Sequence, residues 1–569
     1  MYFIALASDY DGTLAEDGRV APATLEALDL LKQSGRKLVL VTGRELPDLQ
    51  EVFPELDRFT LVVAENGGLL YEPASQRQTV LGPAPPVAFI ERLKERRVSP
   101  LSIGRCIVAT WEPNEQIVLE TIRELGLELQ IIFNKGAVMV LPPGVNKATG
   151  LAAALERMKL SPLNVVGIGD AENDHAFLSA CGCAVAVANA LPMVKEDAAI
   201  VTKASRGGGV TELIRRLVAD DLADVAAAVA HQRVALVREP DGSMIDLHPF
   251  SGNLLIAGTS GGGKSTIATG LLERLAEGGF QFCVIDPEGD YAGLEGAVTV
   301  GDAKTPPRLR EAMGLLGEPG RSVVVDLTGL DLDERPRAFA DLAPEFSKLR
   351  ARTARPHWFL INDAHHMLPA ESGTAAVSLP RELAASIVVT VRPEQVALPV
   401  LEAVRLVLMV GTDAAAAIRY FCERTGDITP RIDATPLEHD EALLWNRRSA
   451  AVQRVRTIRP HAQRLRHSRK YAEGELGEDK SFYFRGQEGS LNLRAQNLVL
   501  FLQLAEGVDD GTWLYHLRAG DYSRWVRDAI NDEELADEIA GIETDESLDP
   551  TESRMKVKAA IERRYTAPA

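Results

Sequence analysis

From residue 1 to about 218, short apolar runs alternate with amphipathic stretches. The runs FIALAS, KLVLVTG, FTLVVAENGG and NVVGIGD are nearly continuous in Val, Ile and Leu and end in Gly, Asp or Thr. Such runs read as parallel strands buried on both faces, with helices between them. An Ala-rich helix over Leu222–Ala230 then leads to RVALVRE and SMIDLH, which Asp241-Gly242 joins as a hairpin. A second series comes next in NLLIAGTS, FCVIDPEG, SVVVDLTG, HWFLIND, SIVVTVR and RLVLMVG, and fades near Trp445. Beyond it, Leu491–Ala505, Thr512–Ile530 and Glu552–Arg564 carry helical spacing, with the acidic EIAGIETDESLDPTE as a solvated connector. The expected fold class is α/β and multidomain. Residues 1–218 form a first α/β domain with an insert at about 69–142, and residues 219–445 a second α/β domain. Residues 446–475 form a basic linker and residues 476–569 a helical module.

Composition narrows the function classes. A chain of 569 residues exceeds a single hydrophobic core. Its net charge of -19 argues against a protein coated by nucleic acid, and leaves room only for a local basic patch. Aromatics are 5%, too few for a stacking platform to dominate. Cys181 and Cys183 have no second pair nearby, so with Cys106, Cys283 and Cys422 they read as free thiols of a reducing, cytoplasmic compartment. The opening MYFIALASDYDGT lacks a basic flank and soon meets charge, so no signal peptide is expected, and no segment reaches ~18 uninterrupted apolar residues, so no membrane partner is expected.

The first strand ends in Asp9-Tyr10-Asp11-Gly12-Thr13. Side chains at i and i+2 of a strand share a face, so two carboxylates can meet one ligand at the carboxyl end of a parallel strand. KLVLV ends in Thr42-Gly43-Arg44, placing a hydroxyl and a backbone N–H where a phosphate could sit. Lys147 opens a helix and can neutralise phosphate oxygens. Asp170 offers a hard oxygen to Mg2+, and Asp174, four residues on, can orient its surroundings.

These four pieces, in this order, resemble the haloacid dehalogenase superfamily. The resemblance implies a Rossmann-like core and a Mg2+-dependent phosphatase, a hydrolase in which Asp9 forms an aspartyl-phosphate and Asp11 serves as general acid/base. It implies metal binding by Asp9, Asp11, Asp170 and Asp174, and phosphoryl contacts from Thr42 and Lys147. Thr13, Gly43, Arg44, Asn66 and Asn173 are expected on the substrate side. The insert, with a βαβαβ pattern, resembles a C2-type cap (an α+β domain) of the Cof-like, sugar-phosphate and archaeal phosphoglycolate phosphatases. The expected substrate is a small phosphorylated metabolite.

In the second domain NLLIAG is followed by Gly258-Thr259-Ser260-Gly261-Gly262-Gly263-Lys264-Ser265-Thr266 and a helix. This is the strand, glycine loop and helix of a P-loop, in which backbone N–H groups wrap phosphates, Lys264 reaches the terminal ones and Ser265 can hold Mg2+. With FCVIDPEGDY it resembles the HerA/FtsK branch of P-loop NTPases, which implies ATP as ligand. The acidic strand end of that branch is here Asn362-Asp363, and Val391 stands where a Gln is usual before Arg392-Pro393. These departures favour nucleotide binding over fast hydrolysis. His365-His366, with no third ligand nearby, is read as structural on a strand.

Arg447, Arg448, Arg454, Arg456, Arg459, Arg464, Arg466, Arg469 and Lys470 fall in one stretch without a carboxylate. They suit either nucleic acid, a homo-oligomeric neighbour, or the protein's own acidic surface. These features support three functional readings. The first is a phosphatase regulated or assembled by an ATP-binding domain. The second is a nucleic-acid-linked ATPase, translocase or defence protein whose phosphatase domain acts on nucleotide or nucleic-acid phosphates. The third is a nucleotide-sensing scaffold.

Overall fold

The computed structural model describes the chain except residues 226–228, 230–231, 260–261, 371–384, 434, 439, 461–475, 477–480, 487–490, 531, 546 and 566–569. It divides into two compact units, Met1–Ile458 and Arg459–Ala569.

Unit one holds the expected α/β series as two large sheets. The first has eight strands, β1 (Ala5–Ser8), β2 (Lys37–Val41), β3 (Leu61–Ala64), β4 (Leu69–Glu72), β5 (Arg77–Val80), β10 (Val165–Gly169), β11 (Cys183–Ala186) and β12 (Ile200–Val201), in the order β12-β11-β10-β1-β2-β3-β4-β5. β12 to β3 are parallel, and β4 and β5 return antiparallel. The fully buried β1, β3 and β10 sit mid-sheet, as expected for strands covered on both faces. The insert therefore begins later than residue 69, because Leu69–Val80 extends the core sheet as a hairpin. The insert itself is an antiparallel sheet of β6 (Ser102–Ile103), β7 (Val108–Trp111), β8 (Gln130–Asn134) and β9 (Ala137–Leu141), ordered β6-β7-β9-β8. It is backed by helices Val87–Glu95 and Glu115–Glu124, so it is not the βαβαβ unit expected. Val108, Val138 and Val140 pack toward those helices, while Ile107, Met139 and Leu141 line the opposite face.

The second sheet has eleven strands. They are β13 (Val234–Arg238), β14 (Met244–Leu247), β15 (Asn253–Gly258), β16 (Phe282–Asp286), β17 (Ala297–Val300), β18 (Ser322–Asp326), β19 (Trp358–Ile361), β20 (Ser386–Thr390), β21 (Val404–Val410), β22 (Glu441–Asn446) and β23 (Gln453–Thr457). Their order is β14-β13-β23-β22-β21-β15-β20-β19-β16-β18-β17. The Asp241-Gly242 hairpin is present, with Gly242 at φ 92°. Residues 453–457 are a strand paired to β22 and β13, so this part of the basic linker belongs to the sheet. Arg447 pairs with Asp427 and donates to the Val404 carbonyl, and Arg454 pairs with Glu441. Arg464, Arg466, Arg469 and Lys470 lie outside the described residues. So do 226–228 and 230 of the expected Leu222–Ala230 helix; its start, Leu222–Val225, is turn after the helix Arg206–Asp220.

The two sheets meet at their amino ends in a buried polar seam. Asn164, just before β10, donates to the Tyr2 carbonyl, and its own carbonyl oxygen accepts from Ile4 N. Its side-chain oxygen lies 3.0 Å from His357 Nε2, just before β19. His357 Nδ1 accepts from Gln281 N, just before β16, which fixes the tautomer with the proton on Nε2. Arg355 bridges further, from Gln281 Oε1 at 2.6 Å to the Lys159 carbonyl at 2.7 Å. Burial of His357 pushes its pKa down to about 3.

In unit two the β24 (Phe482–Phe484) and β25 (Leu493–Ala495) hairpin packs with helices Leu498–Gly507, Asp510–Ala519, Glu533–Glu543 and Pro550–Tyr565 around Phe482, Phe501, Trp513 and Tyr522. The helix expected from Leu491 starts at Leu498, because the Asn497 side chain accepts from Leu500 N and caps it. Much of the expected acidic connector is helix as well, since Asp532 caps its start and Leu535, Ala536 and Ile539 are buried.

Candidate functional site

Asp9 follows β1, Thr42 follows β2, Lys147 starts the helix Lys147–Met158 and Asp170 follows β10. The parallel order β10-β1-β2 gathers these strand ends at one edge. Asp9, Lys147, Asp170 and Asp174 are 4%, 1%, 3% and 0% exposed, so their charges face each other without water. Lys147 Nζ lies 2.5 Å from Asp9 Oδ1 and 2.6 Å from Asp174 Oδ1. Asp174 also accepts from the Asp170 and Ala171 N–H groups, which pins the turn carrying Asp170. A Cβ on Gly169 would come 2.7 Å from Asp174 Oδ2, and Gly12, at φ 89°, lets the chain turn away beside Asp170. Burial pushes the Asp9 carboxyl up, Asp174 adds to this, and Lys147 opposes it. Burial favours loss of the Lys147 proton, but Asp174 and Asp9 outweigh it and its pKa is raised.

Asp9, Asp170 and Asp174 offer oxygens within 4.8 Å of one another. Three buried carboxylates against one buried lysine leave an excess of negative charge, and the donors are hard oxygens, so these residues fit a divalent cation such as Mg2+. Thr13 Oγ1 donates to Asp170 at 3.2 Å. Thr42 Oγ1 accepts from Arg44 N. The Asp11 side chain points elsewhere: Arg44 Nε and Nη2 donate to its two oxygens at 2.7 and 2.9 Å. Asn173 Nδ2 donates to Asn66 Oδ1 at 3.1 Å, while Asn66 Nδ2 and Asn173 Oδ1 are buried without a partner among the described residues. Those two atoms are the polar groups a substrate could satisfy.

The insert roofs this site. Met139 Sδ lies 3.4 Å from where a side chain on Gly43 would begin. At the β8–β9 turn Lys135, at φ 50°, extends its ammonium to within 3.0 Å of the Asp11 carbonyl and 2.7 Å of Asp170 Oδ2. Lys135 is not among the residues that the sequence marks as functional. Its only signal was the Asn134-Lys135-Gly136 turn between two apolar runs, which says nothing of where the turn lands.

The second sheet gathers its own edge. Gly258, Thr259, Gly262 and Gly263 lead from β15 into the helix Lys264–Glu277, with Ser265 and Thr266 in its first turn; Ser260 and Gly261 lie outside the described residues. Lys264 Nζ donates to the Thr259 carbonyl at 2.6 Å, and burial lowers its pKa against the pull of Asp363. Asn362 is buried and its amide nitrogen has no acceptor among the described residues. Asp363, at φ 41°, lies with Glu288 and Asp290 in an acidic group within 4.8 Å. Asp286 of DPEGDY accepts from the Tyr291 and Glu288 N–H groups, so that motif shapes a turn. His365 and His366 sit on the one-turn helix Ala364–Met367 instead of a strand, rings 4.1 Å apart, and His365 Nδ1 lies 3.1 Å from Thr390 Oγ1.

Residues 6–96 and 102–214 match the haloacid dehalogenase-like hydrolase family. The chain is 32% identical over 225 residues to a phosphoglycolate phosphatase of Methanothermobacter thermautotrophicus, covering 37% of this chain and 97% of that protein. It belongs to the haloacid dehalogenase-like hydrolases. A phosphoglycolate phosphatase 2 of Saccharolobus solfataricus is 31% identical over 38% of this chain and 92% of its own. A solved haloacid dehalogenase-like hydrolase from Bacteroides thetaiotaomicron covers 38% of this chain and 99% of its own at 19% identity, with a TM-score of 0.34. Residues 244–370 match the central domain of the helicase HerA. The chain is thus a phosphatase of this superfamily fused to a HerA-like region. Among the described residues no helix is long and apolar enough to cross a membrane.

Proposed function

We propose that the N-terminal domain hydrolyses a small carboxylated phosphomonoester of the phosphoglycolate kind, and that the HerA-like domain binds ATP and regulates or assembles it. The observation that carries the first half is the buried Asp9–Lys147–Asp174 set beneath the insert. Asp9 is placed to attack phosphorus, with Lys147 holding its carboxylate in position. The Thr42 hydroxyl, just after β2, is the group that would contact the phosphoryl oxygens. A bound divalent cation would supply charge neutralisation where Asp9 and the phosphate approach. Asp11 is the acid/base, and in this structure its two oxygens are held by Arg44. The phosphoglycolate phosphatases to which the chain is similar support the substrate class.

The seam supports the second half. Asn164 and His357 stand six residues before Asp170 and Asp363 respectively. At ~3.3 Å per strand residue each strand-end edge lies about 20 Å from the shared seam, so packed backbone runs without a break from one edge to the other. The described part of the basic stretch gives less support to a nucleic-acid partner, since Arg447 and Arg454 are engaged within the sheet.

The test is phosphate release from phosphoglycolate and a panel of phosphomonoesters with Mg2+, with and without ATP, in wild type, Asp9→Asn and Lys264→Ala. Asp9→Asn loses on the order of 10^4-fold or more in turnover. Lys264→Ala keeps basal release but loses the ATP response. Release that survives Asp9→Asn removes the catalytic assignment, and an ATP response unchanged in Lys264→Ala removes the coupling.

A further inference from the structure

At the carboxyl ends of β15, β20 and β21 a cavity of about 280 Å³ opens beside the Gly258–Thr266 loop. Carboxyl-edge crevices are where open α/β sheets take ligands. Thr259 forms one wall, and Val391 and Pro393 after β20 form the next. Tyr420, on the helix Ala414–Thr425, is 41% exposed and supplies an aromatic side. Glu394 and Asp413 complete the lining, and both residues are exposed.

We infer that this cavity receives the purine base of the nucleotide whose phosphates the loop holds, an inference that rests on the ATP-binding reading above. Charge decides which end of the nucleotide enters. Two carboxylates in the lining repel a triphosphate, which stays with Lys264 and the loop amides. The same carboxylates accept hydrogen bonds from ring and exocyclic N–H groups. The walls are apolar or aromatic, which suits the faces of a flat ring. Val391 contributes to this: a polar amide at that position would put a hydrogen-bonding group against the ring face. The volume lies just under the ~300 Å³ lower end of small-molecule sites, room for a fused ring but not a whole nucleotide.

The test uses the full chain carrying Asp9→Asn, so that the phosphatase does not consume the probe, and calorimetric titration with ATP and with inorganic tripolyphosphate. ATP binds roughly tenfold more tightly than tripolyphosphate, the worth of one stacked base. Ala417→Trp fills the cavity and erases that gap while tripolyphosphate affinity stays unchanged. Tyr420→Ala, at an exposed position, narrows the gap and carries the test where Ala417→Trp fails to fold, as checked by its melting curve. Ala417→Trp binding ATP as tightly as the parent overturns the base site while leaving the phosphate loop intact, as does equal affinity of the parent for both probes. A parent chain that binds neither probe overturns the nucleotide reading itself, and the base site with it.

Discussion

The two sheets that meet at His357 hold charge at their far edges in different ways. In the first, Lys147 is 1% exposed between two carboxylates, Asp9 and Asp174, and the donors already converge. In the second, Lys264 bends back onto the Thr259 carbonyl, and the strand end opposite carries the neutral Asn362 where an acid is usual. The first edge is organised before any ligand arrives, since Lys147 already holds Asp9 and Asp174 in place. In the second, the lysine is held by a backbone carbonyl and not by the nearby acidic group of Glu288, Asp290 and Asp363. Preorganised charge is what a chemical step needs.

The comparison breaks first at Lys147. Replacing it by Ala leaves Asp9 and Asp174 buried together without a counter-charge. Removing one partner of a buried ion pair costs ~3–5 kcal/mol, so Lys147→Ala lowers the unfolding free energy by about that amount in urea denaturation. Adding Asp174→Asn recovers part of the loss. A Lys147→Ala chain as stable as wild type would show that the pair is not what holds this edge together.

The seam gives the next effect, and its sign can be worked out. His357 has its pKa depressed from the ordinary 6.5 to about 3, because burial penalises the imidazolium. Its contribution to stability is complete above pH 6.5, where neither state binds the proton. As pH falls from 6.5 toward 3 only the unfolded chain takes up that proton, and stability falls by up to ~1.4 kcal/mol per pH unit. His357→Leu loses the bonds to Asn164 and Gln281 and is less stable at pH 7, yet its stability declines less between pH 6.5 and 4.5. Parallel curves for the two chains would place the titrating group elsewhere.

Much of both edges was legible because the informative residues lie at strand ends, where apolar runs give way to Asp, Gly, Thr or Asn. Each run fixes a strand, and the parallel order brings the ends together. What stayed hidden depended on contacts between distant segments. Lys135 sits on an ordinary hairpin turn, and only the packing of the insert delivers it to Asp170. His357, Asn164 and Gln281 are single polar residues before strands, and nothing local marks them as partners. Gln453–Thr457 was hidden for another reason. Its arginines suggested a solvated linker, yet Arg454, Val455 and Arg456 alternate with period two, and Val455 is fully buried.

Asn362 allows the difference between the edges to be narrowed. Asn362→Asp restores a carboxylate beside Asp363 and the loop, in a background of Asp9→Asn that silences the first site. ATP turnover then rises about tenfold, as a charged acceptor holds a cation and its water more strongly than an amide. Phosphate release from ATP measures it. An unchanged rate would mean that something other than the missing acid limits hydrolysis.

The smallest effect concerns Lys135, which the insert brings to the first edge from outside its core. Its ammonium rests on the Asp11 carbonyl and on Asp170, donors that also fit a divalent cation. A cation drawn to those oxygens meets the positive charge of the ammonium, so its binding is expected to displace the lysine. The side chain is 49% exposed, so water screens the pair and the cost of displacement is that of a surface ion pair, roughly 0.2–1 kcal/mol. Lys135→Ala should therefore bind Mg2+ about two- to fivefold more tightly in calorimetry without substrate, and Lys135→Arg should bind it like wild type. If Lys135→Ala and wild type take up Mg2+ equally, the lysine does not compete for the cation's oxygens, and the first edge is closed to charge from the insert.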